Sequence, residues 1–144
     1  DGNKAVVLGT REPTDDDNPR TRSVVLTRVD STGGVVNEQS YATGPVEAPT
    51  LTRLPGDRLA LSYAENYGAP GDAGKTRAFV LSLDADGAVQ RRFRVGPHQG
   101  TTRIQSLVPL SDERLAAIAS TGPEAVSGFG GDDFDVLVTI FRTE

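Results

Sequence analysis

Apolar residues in this chain come in short alternating runs, and the runs return at a nearly fixed distance. Phe79, Leu81 and Leu83 are two residues apart. That is the period of a β-strand with one buried face. The run ends at Asp84-Ala85-Asp86-Gly87, and a second apolar stretch begins at Ala88. A tight turn with glycine between two alternating runs predicts a hairpin. The same phrase stands 54 residues earlier, where Val25 to Val29 meets Asp30-Ser31-Thr32-Gly33-Gly34 and then Val35. Its first strand appears a third time from Val136 to Phe141.

A second mark repeats alongside. Gly56-Asp57-Arg58 leads into Leu59-Ala60-Leu61, and Asp112-Glu113-Arg114 leads into Leu115-Ala116-Ala117, 56 residues later. Asp1-Gly2-Asn3-Lys4 before Ala5-Val6-Val7-Leu8 is the same mark, 54 residues upstream. Gly44-Pro45 and Gly96-Pro97 also correspond, 52 residues apart. Internal repetition decides the architecture before any local reading does. Each unit reads as four strands, a to d. In the complete unit these are 50–54, 58–64, 78–83 and 88–95. The chain then divides into 1–47, 48–100 and 101–144, holding b-c-d, a-b-c-d and a-b-c. With 25 glycines and prolines together, the chain is punctuated too often for helices. The window 111–120 is the best helical candidate, but its repeat partner, 59–64, reads as strand.

Composition narrows the picture. The 144 residues suffice for one domain with a core. That core is aliphatic, because the chain has no Trp and only five Phe. A net charge of -5 disfavours nucleic acid, whose phosphates need a basic face. No apolar run approaches a membrane span. Cys is absent, which excludes disulfides, thiolate metal sites and Cys nucleophiles. Met is absent too, so a mature or processed form is expected, with export to a bacterial envelope or medium.

A turn such as Gly56-Asp57-Arg58 before an apolar strand, then Phe79 to Val89 after a loop of variable length, resembles bacterial β-propeller repeat families. The resemblance covers nearly the whole chain. It implies an all-β fold of antiparallel four-stranded blades, one complete and two incomplete. A two-sheet β-sandwich is the alternative. Propellers carry at least four blades. The missing strands are therefore expected from other polypeptide: the remainder of a precursor, another chain, or self-association through open strand edges.

The resemblance also implies a functional face. The b–c loops, 10–22, 65–77 and 121–133, differ in sequence while their flanking strands agree. Variable loops on a regular scaffold are where binding residues collect. The d–a connections, 43–49 and 96–101, are expected on the same side. Asp15, Asp16 and Asp17 in one loop and Asp132, Asp133 and Asp135 at the end of another are candidate ligands for Ca²⁺, which takes six to eight oxygens. A solvated acidic loop is the plainer reading. Tyr63, Asn66 and Tyr67 at the end of strand b, with His98 in a d–a connection, are candidate ligand-binding residues. His98 is the only histidine and has no nucleophile motif to serve. Ala69-Pro70-Gly71-Asp72-Ala73-Gly74-Lys75-Thr76 fits a phosphate-loop spacing, but a strand follows it where a helix is needed. Arg91, Arg92 and Arg94 read as charges that blunt an outer strand. The expected role is a non-enzymatic binding or assembly scaffold. The alternatives are a calcium-supported carbohydrate-binding or adhesion module using the b–c loops, and the propeller portion of a secreted hydrolase.

Overall fold

The computed structural model describes residues 5–12, 22–67, 75–97, 100–111, 113–122 and 135–143. Within them the chain is all β, and no helix occurs. The strands are β1 (Ala5–Arg11), β2 (Arg22–Val29), β3 (Val35–Gly44), β4 (Val46–Arg53), β5 (Leu59–Asn66), β6 (Thr76–Leu83), β7 (Val89–Val95), β8 (Thr101–Ser111), β9 (Arg114–Gly122) and β10 (Asp135–Arg142). They form three antiparallel sheets, β1-β2-β3, β4-β5-β6-β7 and β10-β9-β8, and none is closed. Two sheets would have made a sandwich; there are three. The helical candidate at 111–120 is strand instead, covering the last residue of β8 and most of β9.

The repeat in sequence is a repeat in register. Leu8 pairs with Leu26, Ser62 with Val80, and Ile118 with Val138. Leu51 pairs with Leu61 as Leu107 pairs with Ala117. Val29 pairs with Val35 as Leu83 pairs with Val89, and a bulge follows at the same place in both sheets. Equivalent residues therefore face the same way in all three sheets, because a slip of one position would invert every side chain.

Turn chemistry repeats as well. The Asp84 carboxylate accepts the backbone N–H groups of Asp86 and Ala88, both at 2.9 Å. Asp30 accepts those of Thr32 at 2.8 Å and Gly34 at 2.9 Å. Such Asx turns explain why aspartate opens both hairpins. Between β4 and β5, Gly56 and Asp57 both take positive φ, 72° and 61°. The Leu54 N–H donates to the Arg58 carbonyl at 2.8 Å, so Pro55, Gly56 and Asp57 make the turn, with glycine at a left-handed position.

The sheets stack face to face. One core lies between the first and middle sheets, with Val24 and Leu26 on one side and Leu59, Leu61, Leu81 and Leu83 on the other. A second lies between the middle and third sheets. There Ala60, Ala78, Val80 and Val95 meet Ile104, Leu115, Ala117 and Phe141. The middle sheet is thus covered on both faces, which is why β5 and β6 are nearly apolar throughout. Polar ties reinforce the stack. Arg28 donates to the Ala85 carbonyl, and Tyr41 to that of Gly87 at 2.8 Å. Ser82, itself buried, donates to the Thr143 carbonyl at 3.2 Å.

Candidate functional site

The loop ends of β5 and β6 are the place where the sequence points to a site. Asn66 closes β5 opposite Thr76, and its N–H reaches the Pro45 carbonyl at 2.9 Å. The ladder runs one step further, from the Tyr67 N–H to the Lys75 carbonyl at 2.9 Å. This fixes the Tyr67 ring beside the middle sheet. Its hydroxyl donates to the Gly100 carbonyl at 3.1 Å. The Arg77 guanidinium lies 4.1 Å from the ring centroid. Thr76 is buried and donates to the Thr102 carbonyl at 3.1 Å.

Tyr67 and Thr76 therefore tie the end of the middle sheet to Gly100 and Thr102, and Arg77 stacks on the Tyr67 ring. Gly96, between β7 and β8, has φ 90°, and a Cβ there would stand 2.3 Å from the Thr102 hydroxyl. Among the described residues, Nε of Arg77, Nε of Arg94 and the hydroxyl of Thr101 are buried without a hydrogen-bond partner. Such groups carry unmet capacity. Arg77 and Thr101 do not stand out in the sequence. The signal that finds them is the pairing of a loop end with a d–a connection, which only the fold supplies.

The other expected residues fall in different places. Tyr63 is 2% exposed. Its ring packs 5.5 Å from Phe79, inside the core between the first and middle sheets. Burial raises its hydroxyl pKa above the ordinary value. Its contacts differ from those of Tyr67, which reaches Gly100 and Arg77. Asp135 is exposed, opening β10 opposite Thr121. His98 and Asp15, Asp16, Asp17, Asp132 and Asp133 lie outside the described residues, as does 69–74 of the phosphate-loop pattern. Thr76, which ends that pattern, begins strand β6. Among the described residues no cluster of three or more metal-ligating side chains occurs.

The three arginines of β7 are divided by strand alternation. Arg92 stacks 4.0 Å over Phe79, toward the first sheet. Arg94 donates to the Pro97 carbonyl at 3.0 Å. Arg91 lines a polar concavity of about 480 Å³ at the opposite end of the sheet, with Arg58, Ser82, Asp84, Gln90 and Thr143. The Asp84 carboxylate there is engaged by its own hairpin and by the Gln90 amide at 2.8 Å.

Comparison with protein-family models, curated proteins and solved structures returned no match to the chain. No helix of the described residues is long and apolar enough to cross a membrane.

Proposed function

We propose that this chain is a non-enzymatic assembly scaffold, a portion of a β-propeller whose outer sheets are completed by other polypeptide. One observation carries the reading. The middle sheet is buried on both faces, whereas each flanking sheet uses the same register and has one face covered. Val80 is 0% exposed and Leu26 1%, but their register equivalent Val138 is 58% exposed. A sheet of this kind hides its apolar residues only between two neighbours. Stacked four-stranded antiparallel sheets with a common register are what propeller blades provide. Contacts of β4 with both β1 and β8 support the same arrangement. Export from a bacterial cell belongs to this reading, on the strength of the Cys-free composition.

Light scattering combined with urea unfolding tests it. At micromolar concentration the isolated chain is expected either to associate or to unfold at low denaturant. A monodisperse monomer with the stability of an ordinary domain, about 5–15 kcal/mol, overturns the proposal.

A further inference from the structure

The third sheet exposes an apolar face. Val136, Val138 and Ile140 project from β10 with relative exposures of 76%, 58% and 58%. Val108, on β8, pairs with Ala116 and continues the face at 38%. Contiguous exposed apolar surface of this kind marks an interaction site.

What fits this face can be read from the interfaces inside the molecule. In the middle sheet the equivalent residues are Ala78 and Val80, and the third sheet covers them with Leu115 and Ala117. In the first sheet they are Val24 and Leu26, and the middle sheet covers them with Leu59 and Leu61. The covering surface is the same both times: alternate residues of the second strand of a unit. In the first sheet those positions are Ala5 and Val7. Val7 is 54% exposed, where Leu61 and Ala117 are 0% exposed. The molecule thus displays both halves of an interface that it already forms twice internally.

We propose that the outer face of β9–β10 binds the outer face of β1–β2 in a second copy of this chain, with Val138 of one copy packed against Val7 of the next. This rests on the reading above and names the partner. The contact is heterologous, head to tail. It closes into a ring if the rotation allows and otherwise grows as a filament. Sheets packed in this manner stand about 10 Å apart, so the two positions lie within reach of a short cross-linker.

The chain has no cysteine, which makes the test clean. One batch carries Val7→Cys and a second, of distinguishable mass, carries Val138→Cys. Both positions are exposed, so the fold tolerates the change. The batches are mixed and treated with a bis-maleimide of about 10 Å reach. Mixed cross-linked dimers are expected in at least about tenfold excess over same-variant dimers, because a heterologous contact pairs unlike positions. Val138→Glu is expected to abolish association, and Val89→Glu, at an exposed position on β7 of the middle sheet, to leave it unchanged. Association in which 138 links to 138, or in which neither position links, overturns this inference and leaves the scaffold reading standing. A monomer of low stability does the same. A stable monomer overturns both.

Discussion

At Gly96 a single hydrogen atom decides whether the middle and third sheets stay connected as they are. The residue takes φ 90°, and the Thr102 side chain fills the space a Cβ would need, with its own Cβ 3.0 Å away. Thr102 is buried and β-branched, which restricts how far its side chain can turn aside. Gly33 has φ 85° but open space around it. Gly33→Ala is therefore expected to lower stability by about 1 kcal/mol through backbone strain alone. Gly96→Ala is expected to lower it by about 3 kcal/mol, strain and clash together. Urea titration of the two variants checks the difference. Equal losses would show that the contact at Thr102 is loose.

The paired Asx turns make a pH prediction at the same scale. Asp84 is held below the ordinary carboxylate range, first by the Ala88 N–H, then by those of Asp86 and Gln90. Asp30 is lowered by the Thr32 hydroxyl first, then by the Thr32 and Gly34 N–H groups. A depressed folded pKa contributes stability that is present above the unfolded value, about 4, and is lost as pH falls through the folded value. The melting temperature is expected to drop as the medium is acidified below about pH 4. In the Asp30→Asn, Asp84→Asn double variant, whose amides still accept a hydrogen bond, that drop is expected to shrink. Melting curves across acid pH decide it; an unchanged slope would assign acid sensitivity to other carboxylates.

Among the elements, β5 and β6 lie at one extreme and β1 and β10 at the other. The first pair is covered on both faces and has a hydrogen-bonded neighbour on each side. The second pair each has one sheet neighbour and one open face. Amide exchange of the isolated chain is expected to be slowest in β5 and β6 and fastest in β1 and β10. Uniform protection would mean that the three sheets open together. The elements also show what the sequence made readable. Period-2 alternation located β5, β6 and β7 to within one or two residues at most ends. It missed the start of β4, which begins at Val46 and not at 50. Ala48 and Pro49 read as a connection. In the fold they form a bulge, with Ala48 at φ 49°, so the proline is carried without a ladder bond. Tyr63 was within reach too, since alternation with Leu59 and Leu61 places it on the buried face. The Tyr67–Arg77–Gly100 cluster was not, because it depends on how a d–a connection passes a loop end 33 residues away.

For the whole molecule, the sequence repeat and the register repeat are the same fact at two levels. Among the described residues the main contacts between sheets join those adjacent in sequence, β1 and β2 with β4, and β4, β5 and β6 with β8. The interfaces between the parts are therefore expected to add. Common register has a consequence for how such a chain changes over generations. An in-frame duplication of about 54 codons would insert a sheet whose two faces already match its neighbours, with no new core to invent. Loss of one unit would heal as easily. Size is then the freest variable of this architecture, and copying errors, rather than point substitutions, are its natural means of change.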